Sequence, residues 1–280
     1  MAANKLIESV HMHLGTCVPF LDFQFWIKQP GKLQNLIYSN GVIVIKDCPW
    51  NKDEFLTEIE GFGVFLHLRV NDKISDSPVS ILSNEKSNLN EKHYDKLGYG
   101  WHSDFCHLKA PASYTFLHGK IIPGEGGDTI FTDMIGAYDG LNLQTRQRLA
   151  TITVRHSIPG KLGSDNGGEG EFVDHPLVRS IPGVDKPALY IGSKGTASPL
   201  GMPKSDGDEL ISRLIAFSVQ SKFTYKHEWS VNDLLIWDNR STMHTATDFD
   251  RGKFIRRMHR ISFQGEAPTP FDKDFVYKAN

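Results

Sequence analysis

Short β-rich runs bounded by glycine or proline recur along the whole chain without the regular strand-helix alternation of a parallel sheet, and this pattern restricts the fold most. They lie at residues 41–45 (GVIVI), 113–122 (SYTFLHGKII), 188–192 (ALYIG), 234–237 (LLIW) and 254–263 (FIRRMHRISF). Helical periodicity is rarer. One helix is expected from Ser205, where Ser205-x-x-Asp208 resembles a capping box, through Leu210, Leu214 and Phe217. Another should follow a capping Asn51 and bury Phe55, Ile59 and Phe62. Scattered strands with few helices imply a mainly β fold, an antiparallel sandwich or barrel with added helices. No linker rich in proline, serine or charge separates two apolar sets, and no repeat is visible, so residues 1–280 read as one domain. The polar, glycine-rich stretch 159–170 (PGKLGSDNGGEG) reads as a mobile loop and a candidate lid.

Charge narrows the function classes. With 31 basic against 33 acidic side chains, a net charge of -2, the chain has no global attraction to nucleic acid or anionic lipid. Anion recognition must therefore be local. No apolar run approaches the roughly 20 residues of a membrane helix, and the opening MAANKLIESVHMH lacks the charged-then-apolar pattern of a secretory signal. A cytoplasmic protein with neither membrane nor nucleic-acid partners is expected, with homo-oligomerisation left open. Cys17, Cys48 and Cys106 form no CxxC and no even set, which suggests neither a disulfide framework nor a cysteine zinc site.

Three segments carry side chains suited to chemistry. In Trp101-His102-Ser103-Asp104, a local period of two sends His102 and Asp104 to one strand face, with Cβ atoms about 7 Å apart, close enough to converge on one ion. Taken alone, a His-x-Asp is more often a surface histidine bonded to a neighbouring carboxylate. Far along the chain, a buried strand ends near Trp237 and a short turn delivers His244, a suitable third ligand for a two-histidine, one-carboxylate triad that binds Fe(II) and leaves positions open. In the run 254–263, period two puts Arg256, Met258 and Arg260 on one face, with the two guanidiniums about 13 Å apart, able to grip two different anionic groups. A fourth segment, Gly124-Glu-Gly-Gly-Asp-Thr129, lacks the lysine of a phosphate loop and reads as a hairpin turn. Cys106 would share the His102 and Asp104 face as a pocket-wall or core cysteine, and His11 and His13 read as incidental to a frayed tail.

Taken together, WHSD, GGDT, His175-Pro-Leu-Val-Arg179, WDNRSTMH and RRMHR, in that order, resemble the taurine dioxygenase and aryloxyalkanoate dioxygenase superfamily of Fe(II)/2-oxoglutarate enzymes. The resemblance implies a double-stranded β-helix, or jelly roll. It also implies an enzyme that uses Fe(II), 2-oxoglutarate and O2 to hydroxylate a C–H bond of a small anionic substrate, a sulfonate, carboxylate or aryloxyalkanoate, releasing succinate and CO2. His102, Asp104 and His244 match its iron ligands, and Thr129 and Arg256 the positions that hold the cosubstrate carboxylates. Arg260 matches the arginine that meets the acidic group of the substrate. Halogenating relatives carry a small residue where this chain has Asp104, which favours hydroxylation. Arg256 also suits its task on physical grounds, because the distal carboxylate of a diacid needs an always-charged, pre-oriented fork. His67 lies near a substrate histidine of taurine-type enzymes but stays outside the candidate set. A biosynthetic hydroxylase or desaturase, a non-catalytic jelly-roll binding module and a zinc hydrolase on the same ligands are the alternatives left open.

Overall fold

The computed structural model describes residues 14–70, 73–86, 93–95, 98–157, 172–193 and 195–271. The loop expected over 159–170, His11 and His13 lie outside them. The chain is mainly β with six α-helices among the described residues. Its largest sheet has seven strands, running Thr16–Val18, Val42–Ile45, Leu234–Asp238, Ala112–Ile121, Arg257–Gln264 and Phe65–Leu66, with Ser80–Ser83 also paired to the Arg257–Gln264 strand. All of these pairings are antiparallel except the first, which is parallel. A second sheet has the order Thr224–His227, Thr129–Asp133, Thr242–Ala246.

Both faces of the large sheet are covered, and the two-residue period sorts its side chains between them. Ile43, Phe116, Ile236 and Ile261 point outward into a core shared with Phe23, Leu33, Ile37 and Phe55 of the flanking helices. Val44, Leu117, Trp237 and Met258 point inward, where Phe131 of the second sheet meets them. Met258 and Arg260 therefore share the face that looks between the sheets, as their spacing predicts, while Arg256 lies one residue ahead of the strand, which begins at Arg257 and not at Phe254.

The Lys52–Ile59 helix starts as expected. Asn51 Oδ1 accepts from the backbone N–H groups of Asp53 and Glu54 at 2.9 and 3.0 Å, and Glu54 returns the bond to Asn51 N–H at 2.8 Å. Phe55, Ile59 and Phe62 are buried.

The expected capping box at Ser205 does not form. The helix is Lys204–Ser218 and begins after Pro203, so Ser205 already sits in its first turn and bonds Asp206 Oδ1 instead of capping. Its buried side is Gly207, Ile211, Leu214 and Ser218, with Leu210 and Phe217 half-buried. The segment 124–129 is not a hairpin. It carries the chain from the Ala112–Ile121 strand of the large sheet to the Thr129–Asp133 strand of the second, because the two strands take different partners. The run at 188–192 adds only its first two residues to a strand, Val184–Leu189. Among the described residues no helix is long and apolar enough to cross a membrane.

Asn51→Ala is expected to lower folding stability by about 1 kcal/mol. Urea unfolding should show an earlier midpoint with an unchanged slope.

Candidate metal centre

The second sheet and one irregular loop build the centre. As expected, the strand that carries Trp237 ends at Asp238 and a short turn over 239–241 delivers His244, which lies on the Thr242–Ala246 strand paired with Thr129–Asp133. In that pairing His244 stands directly opposite Phe131, whose ring stacks on its imidazole at 5.8 Å, while Trp237 reaches across from the large sheet to 4.7 Å. His102 joins the same strand through a single backbone bridge: His102 N–H donates to the His244 carbonyl at 3.0 Å, and the His102 carbonyl accepts from His244 N–H at 2.9 Å. The expected strand over WHSD thus shortens to one residue. After it the backbone turns, with Phe105 at φ 54°, and the turn rather than a pleat swings Asp104 back toward His102.

The three side chains meet. His102 Nε2 is 3.8 Å from Asp104 Oδ1, His244 Nε2 is 3.9 Å from Asp104 Oδ2, and one ligand atom from each lies within 4.8 Å of the others. That spacing can hold one ion. The proton states suit such a task. Because the Gly100 carbonyl 2.7 Å away can only accept, His102 Nδ1 carries a hydrogen and Nε2 is the ring nitrogen turned toward the cluster. Burial, and secondarily the neighbouring His102, pulls His244 down to about 3, so its imidazole is neutral at physiological pH. Its Nδ1 has no hydrogen-bond partner among the described residues. Burial alone would raise Asp104, but Arg260, His244, His102 and the Thr115 hydroxyl together hold it below the ordinary carboxylate range.

Arg260 NH1 donates to Asp104 Oδ1 at 3.1 Å, placing a guanidinium against the cluster. This is its only hydrogen bond or ion pair within the described residues, so most of its N–H donors remain available there. Arg256 takes a different position, just ahead of the strand that carries Arg260. Its Nε donates to the Gly127 carbonyl at 2.9 Å, and no carboxylate lies within ion-pair distance among the described residues. With only 8% of its surface exposed, burial pulls its pKa down to about 10, so it is a charged group with no ion-pair partner among the described residues. Gly127 explains the close approach: at φ +71°, a Cβ there would stand 3.1 Å from Arg256 Cδ. Thr129, two residues on, shares a sheet face with Phe131 and hence with His244. Its hydroxyl accepts from Trp229 Nε1 at 3.0 Å and so retains its own proton for donation.

A family profile described as Taurine catabolism dioxygenase TauD, TfdA family matches residues 18–262. The chain belongs to this family. It is 32% identical over 165 residues to the (S)-phenoxypropionate/alpha-ketoglutarate-dioxygenase of Sphingobium herbicidovorans, covering 54% of this chain and 57% of that protein. Against the alpha-ketoglutarate-dependent 2,4-dichlorophenoxyacetate dioxygenase of Cupriavidus pinatubonensis it is 33% identical over 158 residues, 54% of this chain and 55% of that one. The chain thus spans little more than half the length of these curated relatives. Among solved structures, AAD-2 in complex with Mn(II) and N-oxalylglycine superposes with a TM-score of 0.70 at 25% identity, over 86% of this chain and 89% of that one.

Other expected positions take ordinary roles. Cys106 is buried and lies outside the donor cluster; burial and then the Asp104 charge push its thiol up to about 12. His67 Nδ1 donates to the Ser75 carbonyl at 2.8 Å. His175 Nε2 bonds the Leu108 carbonyl at 3.0 Å. Sequence reasoning missed Gly100, Thr115, Asn239 and Ser262, which touch the donors or one another. The only signal was that Asn239 lies inside the WDNR run.

His102→Ala and His244→Ala are each expected to abolish one-to-one Mn(II) binding in titration calorimetry. Wild-type affinity in either variant would sink the three-donor centre.

Proposed function

We propose that this chain is an Fe(II)/2-oxoglutarate dioxygenase that hydroxylates a small anionic organic substrate, with His102, Asp104 and His244 holding the iron. The observation that carries the reading is the meeting of two imidazoles and a carboxylate, with one ligand atom from each within 4.8 Å of the others, in a chain that also holds a buried guanidinium, Arg256, with no carboxylate at ion-pair distance among the described residues. Two histidines and one carboxylate are the donor set of oxygen-activating ferrous sites, and three protein ligands leave positions for a keto acid and a gas. Iron, 2-oxoglutarate and O2 supply the oxidising power, with succinate and CO2 as co-products.

The protein's own groups do the remaining work. Arg256 needs a partner, since a desolvated charge left alone is costly, and the distal carboxylate of 2-oxoglutarate meets that need with a bidentate pair. Thr129 adds a hydroxyl donor from the neighbouring strand. Arg260, with donors to spare beside Asp104, meets the acidic group of the organic substrate and holds it near the reacting C–H bond. A site closed around a structural ion has no use for Arg256, which argues against a binding module. The same reading takes the two packed sheets as a jelly roll forming a single domain, and places the protein in the cytoplasm. The relatives named for phenoxypropionate and dichlorophenoxyacetate support an aryloxyalkanoate, with sulfonates and other carboxylates within the same class.

Incubation with Fe(II), 2-oxoglutarate and a panel of aryloxyalkanoates, sulfonates and carboxylates should give oxygen-dependent succinate formation. Turnover that persists without oxygen or 2-oxoglutarate would falsify the reading. Arg256→Ala should weaken 2-oxoglutarate roughly ten- to hundredfold, the loss of one or two charged hydrogen bonds. Arg260→Ala should raise KM for the organic acid far more than for 2-oxoglutarate; equal losses would refute that division.

A further inference from the structure

Asp104 sits in a turn, two residues beyond the last backbone rung that ties this loop to a strand. Nothing in the sheet ladder fixes its carboxylate, so side chains must. Three adjacent strands supply them, because their register sets Trp237 beside Thr115 and Thr115 beside Ser262 in one row on the inner face. Thr115 Oγ1 is 2.8 Å from Asp104 Oδ2, 2.9 Å from Asn239 Nδ2 and 2.9 Å from Ser262 Oγ. Thr115, Asn239 and Ser262 are at most 2% exposed, so water cannot take the place of any member.

Bond directions follow from counting protons. Asn239 Oδ1 accepts from Asp104 N–H at 3.1 Å and from Trp237 Nε1 at 3.0 Å, both obligate donors, so its amide NH2 must face Thr115. A hydroxyl has one proton and two acceptor sites. The carboxylate can only accept, so Thr115 donates to Asp104, and its lone pairs receive Asn239 and the Ser262 hydroxyl. Asn239 thus grips the backbone of Asp104 directly and its carboxylate through Thr115. All three Thr115 bonds are satisfied in a single arrangement, the condition under which a buried polar network imposes one geometry.

We infer that Thr115, oriented by Asn239 and Ser262, is a positioning residue that fixes the Asp104 carboxylate for the metal. The inference rests on the metal-centre reading above and adds to it groups that are not themselves among the three metal donors. Partners of this kind behind a ligand typically change metal affinity by about ten- to hundredfold.

The test is Mn(II) binding by the full chain, read from the electron paramagnetic resonance signal of the free ion, with no substrate present. Thr115→Val keeps the side-chain shape but loses the hydroxyl, and should bind Mn(II) about ten- to hundredfold more weakly while far-UV circular dichroism stays unchanged. Thr115→Ser keeps the hydroxyl and should bind like the wild type. Asn239→Asp keeps the acceptor for Asp104 N–H but turns the donor that faces Thr115 into a competing acceptor. It should show the same loss as Thr115→Val, and it carries the test should the valine variant not fold. Wild-type affinity in Thr115→Val or Asn239→Asp, or an equal loss in Thr115→Ser, overturns the inference while leaving the metal centre standing. Failure of the wild-type chain itself to bind Mn(II) overturns the metal-centre reading and the inference with it.

Discussion

Two backbone hydrogen bonds between His102 and His244, at 3.0 and 2.9 Å, tie an irregular loop to a strand more than a hundred residues away in sequence. Reciprocal bonding makes these two residues a direct antiparallel pair, whose side chains must emerge on the same face about 5 Å apart. The imidazoles consequently stand with ring centres 4.3 Å apart. Everything else in the centre is arranged around that pair. Phe131 and Trp237 wall in the His244 ring, Gly100 sets the His102 tautomer, and the turn after the bridge returns Asp104 to the open side.

Electrostatics follow from where this pair sits. Between two sheets, with little water, each charge needs an opposite charge or donors within contact. Asp104 has Arg260, Thr115 and its neighbours' imidazoles, which outweigh burial and keep it ionised. The Arg256 guanidinium bonds the Gly127 carbonyl. One buried charge is met by an opposite charge within the chain, and the other meets no carboxylate at ion-pair distance among the described residues.

Much of the centre was legible in residue order. His102, Asp104 and His244 converge as their types and motifs suggest, and Met258 and Arg260 share an inward face because alternation along an extended chain is a local property. The Asn51 cap was legible for the same reason, since every partner lies within three residues. The Ser205 cap failed because two adjacent starts compete, and Pro203 with its preset φ begins the helix before Ser205 can cap it. The turn at Asp104 escaped notice too: extended pairing stops at His102, and the bonds that bend the chain there come from Asn239.

The sequence by itself determined the chemical inventory and the local periodicities: which imidazoles, carboxylates and guanidiniums exist, which face of a strand each takes, and which family the motifs point to. Tertiary structure alone decided that Thr115 meets Ser262 and Asp104, that Arg260 pairs with Asp104 while Arg256 bonds the Gly127 carbonyl, and that the 124–129 segment joins two sheets. The physical reason is that alternation is set within a few bonds of each residue. Opposition across strands depends on register, which is chosen by the packing of both sheets at once and is written in no single segment.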